Sequence, residues 1–176
     1  LESQMPELAE VLFATKAWAK GKGHKINKVE TKNASRVFRE LDPAVLKRTL
    51  KGSVFLGSET HGKKMLFRFS GERWLGLHLG MTGWLFEEDP AYPSAKHDAL
   101  VLRQDERSLV FRDPRQFGRI LCHKGKDAPG WWNNLPTEIH CNAFTLKRVR
   151  DILQRRKRAL VKAVLLMQEF FPGIGN

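Results

Sequence analysis

Between residues 24 and 122 the chain carries eight short runs with the period of a β-strand, at 24–30, 53–59, 64–69, 73–79, 84–87, 97–103, 108–112 and 118–122. Side chains alternate across a strand, so this period commits the middle of the chain to sheet. Turns as short as Ser70-Gly71-Glu72 and Gln104-Asp105-Glu106-Arg107 separate several of the runs. Many short strands at this spacing predict an antiparallel sandwich or a flattened barrel. Eleven Phe and five Trp among 176 residues supply a sizeable core.

At both ends the period is helical. Residues 6–20 are expected to form a helix: Pro6 suits its first turn, and Glu7 and Glu10 suit its N-terminal dipole. Leu8, Val11, Leu12 and Trp18 would share a face, and Gly21 and Gly23 would end it. Asp42-Pro43 opens a second short helix, carrying Leu46 and Leu50, before Gly52. The stretch 124–143, with Pro129-Gly130 and Asn133-Asn134-Leu135-Pro136, reads as a linker. Beyond it, Thr145 caps a helix carrying Leu146, Val149, Ile152 and Leu153, and a second helix is expected from Ala159 to Gln168. An apolar helix followed by the turn Pro172-Gly173-Ile174-Gly175-Asn176 calls for a partner helix. The expected organisation is therefore residues 1–5 as a leader, 6–123 as the sandwich, 124–143 as the linker and 144–176 as an incomplete helical domain.

Charge narrows the partner. Residues 1–70 hold 14 basic and 7 acidic side chains, residues 71–142 hold 9 and 10, and residues 143–176 hold 8 and 2. Two basic blocks around a neutral middle suit a polyanion held between the ends of the chain. Nucleic acid is favoured over membrane, because no apolar run approaches the roughly 18 residues of a membrane span and no basic amphipathic helix stands alone at a terminus. Cys122 and Cys141 are isolated, without ligand spacing. Both are expected to be buried thiols in a reducing intracellular compartment, and no metal site is expected in the chain.

Pro6-Glu7 follows Met5 directly. A chain that began at Pro6 would expose a secondary α-amine, which titrates near pH 8 against about 10.4 for lysine, so much more of it is nucleophilic at neutral pH. An adjacent carboxylate moves the protons that imine chemistry requires. Behind Leu1-Glu2-Ser3-Gln4-Met5, however, the Pro6 nitrogen is an amide and attacks nothing. Taken alone, Pro-Glu is also a common helix start.

Five strings occur in one order: PELAEV (6–11), HGKKMLF (61–67), HLGMTG (78–83), KHD (96–98) with DPRQFG (113–118), and VKAVLLMQEFFPGIGN (161–176). Together they resemble the formamidopyrimidine-DNA glycosylase and endonuclease VIII family of base-excision repair enzymes, over nearly the whole chain. Leu8 after Glu7 is closer to the formamidopyrimidine branch. The resemblance implies an α+β fold: an antiparallel β-sandwich with flanking helices, followed by the start of a helix–two-turns–helix domain.

It also implies roles. Pro6 would be the nucleophile and Glu7 the proton donor and acceptor, with Glu10 in support. Lys63, in the turn His61-Gly62-Lys63, would handle protons and phosphate, while Lys64 faces solvent. Met81, Arg115 and Phe117 would enter the base stack, a task suited to flexible or aromatic side chains on exposed turns. His97, oriented by Asp98, would join Arg115, Lys157, Lys162 and Asn176 in holding DNA. The chain departs from the family pattern at Ala9, at His61, where any phosphate contact becomes pH-dependent, and at Gln116, which removes a charge.

No cofactor is implied within the chain, because the family's zinc finger would lie beyond Asn176. The expected activity is that of a bifunctional glycosylase and AP lyase. It would act as a monomer on double-stranded DNA containing oxidised bases (8-oxoguanine or formamidopyrimidine) or abasic sites, in the cytoplasm of a bacterium or the nucleus of a eukaryote. Two alternatives stand beside it: a non-catalytic module that binds damaged DNA, and an oxidised-pyrimidine glycosylase of the endonuclease VIII type.

Overall fold

The computed structural model describes residues 6–32 and 34–175. The leader and Asn176 lie outside them. Helix α1 (Leu8–Ala17) passes into a 3-10 turn at Ala19–Gly21. After it come β1 (Lys28–Thr31), α2 (Pro43–Leu50), β2 (Phe55–His61), β3 (Lys64–Phe69), β4 (Arg73–His78), β5 (Trp84–Glu88), β6 (Asp98–Arg103), β7 (Ser108–Arg112) and β8 (Arg119–Lys124). Three helices close the chain: α3 (Gly130–Asn133), α4 (Leu146–Arg155) and α5 (Val161–Leu165).

The strands form two four-stranded sheets, ordered β1-β6-β7-β5 and β2-β3-β4-β8, and every pairing is antiparallel. The expected sandwich with flanking helices is thus the observed architecture. Its core lies between the sheets, where Phe55, Phe67 and Leu75 of the second meet Val29, Leu100 and Phe111 of the first. Trp18, at the end of α1, plugs this layer. Its ring lies 4.9 Å from that of Phe67, and its indole N–H donates to the Val110 carbonyl at 3.3 Å. Burial of the indole with its donor satisfied removes the usual cost of a polar atom in a core.

Several boundaries differ from expectation. Helix α1 buries Val11, Ala14, Thr15 and Trp18, whereas Leu12 is exposed. The run at 24–30 becomes a strand only from Lys28, after an isolated bridge between Lys25 and Val54. Helix α2 starts where Asp42-Pro43 predicts, with the Asp42 carboxylate accepting from the Ala44 N–H at 2.8 Å. Helix α5 is five residues long and does not reach Gln168. Past Leu165 the chain turns instead, and Phe171 packs into a small separate core with Ile152 and Val164.

The segment 124–143 is more than a linker. It contains α3, whose Trp132 packs with Leu66 and Trp74 on the outer face of the second sheet. Trp131 lies against Gly76, where a Cβ would come within 2.3 Å of the indole. Two neighbouring tryptophans bury too much apolar surface to leave the sheet while a glycine leaves them space. Cys141 is exposed rather than buried, and Cys122 is half-buried. No helix among the described residues is long and apolar enough to cross a membrane.

Candidate active site and nucleic-acid interface

Three separate segments meet around the start of α1. Glu7 caps the helix, and its N–H donates to Glu10 Oε2 at 2.8 Å. The second segment is the β2–β3 hairpin, whose two-residue turn is Gly62-Lys63. Gly62 sits at φ +56°, a conformation that glycine adopts without strain and that opens a tight hairpin. The third is the turn 172–175. A Cβ on Gly62 would lie 3.0 Å from Pro172 Cβ, and one on Gly175 would lie 2.5 Å from Glu7 Oε1. The Leu8 N–H donates to the Gly173 carbonyl at 3.3 Å.

Lys63 is buried by this meeting, with only 8% of its surface exposed, in contrast to the solvent-facing Lys64. Burial lowers the Lys63 pKa, while the nearby Glu7 and Glu10 carboxylates pull it back up. An ammonium so placed sheds its proton more readily than a surface lysine and stays within the field of two carboxylates. The arrangement holds a proton donor and a proton acceptor beside the backbone of Pro6. Asn176 follows Gly175 but lies outside the described residues.

Two side chains without a place in the motifs hold the segments together. Glu138 Oε1 accepts from the Gly62 N–H at 3.2 Å and so ties the hairpin tip to the stretch before α4. Gln168 accepts from the Gly173 N–H at 3.0 Å and donates to the Ile174 carbonyl at 2.7 Å, which fixes the turn facing Glu7. Their signal in the sequence is weak, because a glutamate or glutamine in a polar stretch reads as solvated surface.

A second assembly lies between the turns 79–83 and 113–118. Gly80 (φ +67°) is pressed so closely on the other turn that a Cβ there would fall 2.5 Å from Gly118 N. Buried Asp113 links the two: it accepts from Thr82 Oγ1 at 3.0 Å and from the Gly118 N–H at 2.7 Å. Met81 and Phe117 therefore stand on one joined platform, with Phe117 43% exposed and the Arg115 guanidinium 4.9 Å from its ring. Gln116, at φ +58°, accepts from the Arg36 N–H at 2.8 Å. The residue that replaces a charge thus serves as a brace.

His97 joins the same platform through its backbone, as its carbonyl accepts from the Asp113 N–H at 3.0 Å. Asp98 does not orient its imidazole. That carboxylate is taken by Arg112 Nε at 2.7 Å, the Tyr92 hydroxyl at 2.9 Å and the Ala95 N–H at 2.7 Å. His61 is likewise engaged elsewhere, with Nε2 bonded to the Pro136 carbonyl and its ring edge-on to Trp132. Lys157 and Lys162 are exposed, and Lys157 lines a shallow groove formed by residues 155–159.

His78 was not singled out by the motifs, although it opens one of them. It lines the cavity that also holds His61, Lys63 and Lys64. Burial and the surrounding Lys64, Arg119, Lys63 and Arg39 lower its pKa to about 4. The Gly80 N–H donates to its Nδ1 at 3.0 Å, so the neutral ring carries its proton on Nε2 and can donate it to an anion. In an NMR titration of the imidazoles, His78 should stay neutral well below pH 6. Between about pH 6.5, the ordinary value for histidine, and about pH 4 the unfolded chain binds the extra proton, so this group makes stability fall as the pH drops.

Residues 5–120 match the family model described as the formamidopyrimidine-DNA glycosylase N-terminal domain. A formamidopyrimidine-DNA glycosylase of Roseiflexus sp. (strain RS-1) is 38% identical over 176 residues, covering 98% of this chain and 63% of that protein. Its namesake in Solibacter usitatus (strain Ellin6076) is 35% identical over 175 residues, covering 98% and 62%. Among solved structures, Lactococcus lactis formamidopyrimidine-DNA glycosylase bound non-covalently to DNA containing an AP site superposes with a TM-score of 0.85 at 26% identity, covering 97% of this chain and 65% of that one. MutM in complex with DNA containing carbocyclic 8-oxo-G gives 0.81 at 26% identity, covering 97% and 65%. The chain thus spans just under two thirds of the length of these relatives.

Proposed function

The chain belongs to the formamidopyrimidine-DNA glycosylase family, and from that premise we propose that it excises oxidised purines from double-stranded DNA and cleaves the resulting abasic strand. The observation that carries the proposal is the burial of Lys63 beside Glu7 and Glu10, at the start of a helix that Pro6 precedes. A lysine costs free energy to desolvate. Three segments far apart in sequence converge to impose that cost, which suits a proton-transfer site better than a structural one.

In a chain beginning at Pro6, the amine attacks C1′ of the damaged nucleotide, the glycosidic bond breaks, and the base leaves with a proton. Glu7 protonates the ring oxygen as the sugar opens and an iminium forms. The same carboxylate then takes the C2′ proton, the 3′-phosphate departs by β-elimination, and the 5′-phosphate follows by δ-elimination. Lys63 supplies or removes protons beside it. Met81, Arg115 and Phe117 fill the space left in the stack, and His97, Lys157, Lys162 and Asn176 hold phosphates. The joined platform under Met81 and Phe117 supports this, because a wedge needs a rigid mount. Both relatives are named formamidopyrimidine-DNA glycosylases, which favours a purine lesion over the pyrimidine alternative.

Sodium borohydride tests the proposal. A protein starting at Pro6, mixed with duplex DNA carrying an abasic site, should yield a reduced cross-link to DNA, and one retaining Met5 should yield none. Absence of a cross-link from the Pro6 form, with binding to the same duplex intact, would leave a damaged-DNA-binding module in place of the enzyme.

A further inference from the structure

The outer face of the second sheet carries a cavity of about 520 Å³ that runs from Phe117 of the platform past His78 to Trp131, and its lining includes none of Pro6, Glu7 and Lys63. Its floor is Gly76 and Leu121, which pair across β4 and β8. Over Gly76 lies the half-buried indole of Trp131, which the missing side chain admits. A cavity of this size falls within the range of about 300–1,000 Å³ that holds small ligands.

One edge of the cavity is a row of basic side chains. Lys64 pairs directly with His78 across β3 and β4, and His78 pairs directly with Arg119 across β4 and β8. Lys64 and Arg119 thus flank a neutral imidazole, two cations in one row across three strands. Repulsion from Arg119 contributes, after burial, to a lowered Lys64 pKa. The single carboxylate among the lining residues is Glu40, which reaches Arg119 at 3.2 Å. A sheet that keeps two cations and a histidine in one row, next to an aromatic wall, has the chemistry of an anion site joined to a stacking site.

We propose that this cavity binds one unpaired nucleotide, with its base against Trp131 and its phosphate on the row from Lys64 to Arg119. The assignment needs neither the Pro6 amine nor Glu7, and although Phe117 joins its cavity to the platform, nucleotide binding is read out separately from strand cleavage. A free nucleotide and an unpaired nucleotide at the end of a DNA strand present the same groups, and both are ligands of the proposed site.

The indole N–H resonance of Trp131, assigned by its loss in Trp131→Phe, reports occupancy. Deoxyadenosine monophosphate should shift it and bind about tenfold or more tightly than either deoxyadenosine or orthophosphate. In Lys64→Glu, an exposed position whose other resonances should stay in place, the nucleotide should bind about tenfold more weakly. A duplex with a one-nucleotide overhang that shifts Trp131 more than its blunt counterpart assigns the site to DNA strand ends. A shift with the mononucleotide and none with the overhang assigns it to free nucleotide. If neither moves Trp131, or if orthophosphate alone reproduces the full shift and affinity, the cavity is not a nucleotide site.

Discussion

Glu7→Gln, in a chain beginning at Pro6, should slow base excision and strand cleavage by about 10²–10⁴-fold, the usual contribution of a general acid–base. The backbone N–H of residue 7 keeps its bond to Glu10 Oε2, and glutamine has nearly the same shape, so α1 should start at the same place. Affinity for abasic duplex should hold. The substitution also removes one of the two carboxylates that raise the Lys63 pKa against burial. With that attraction gone the lysine pKa falls further, so any residual activity should lose its alkaline limb at a lower pH than in the parent. Single-turnover rates on an 8-oxoguanine duplex across pH check both points. An unchanged rate would remove Glu7 from the chemistry, whatever the family pattern.

The second large effect is expected at Gly80→Val. Position 80 lies at φ +67°, and its Cβ would fall 2.5 Å from backbone atoms of Phe117 and Gly118. Left-handed backbone costs a residue with a side chain about 1–2 kcal/mol, and forcing atoms into a packed site adds about 1–3 kcal/mol. At about 2–4 °C per kcal/mol for a chain of this size, the melting temperature should drop by about 4–20 °C. The functional loss should exceed the loss of stability, because the two turns separate and Met81 no longer shares a mount with Phe117. Fluorescence of 2-aminopurine next to the lesion should then show reduced extrusion at temperatures where the variant is still folded. Extrusion equal to the parent's would mean that the two side chains work independently.

Much of the fold is legible in the residues. A period of two repeated eight times, with turns too short for crossovers, leaves antiparallel sheet as the arrangement that satisfies the backbone. Asp42-Pro43 and Thr145 mark helix starts because their side chains accept from the first free N–H groups, at Ala44 and Arg148. Motif residues were legible too, as types: a proline beside a glutamate, a lysine on a hairpin tip, and an aromatic and a thioether on turns.

What no local pattern contains is the meeting of those residues. Lys63 reads as an exposed turn lysine until Pro172, Gly173 and the start of α1 close over it from more than a hundred and from more than fifty positions away. Asp98 reads as the partner of its neighbour His97 until β7 brings Arg112 opposite it, where the guanidinium pairs with the carboxylate at 2.7 Å. The stretch holding Trp131 and Trp132 reads as a linker because nothing in it shows that Gly76, in another element, has left a space on the sheet. Period and capping are decided within a few residues, where the backbone's own geometry sets the outcome. Burial, and with it each shifted pKa, belongs to whatever the rest of the chain folds on top.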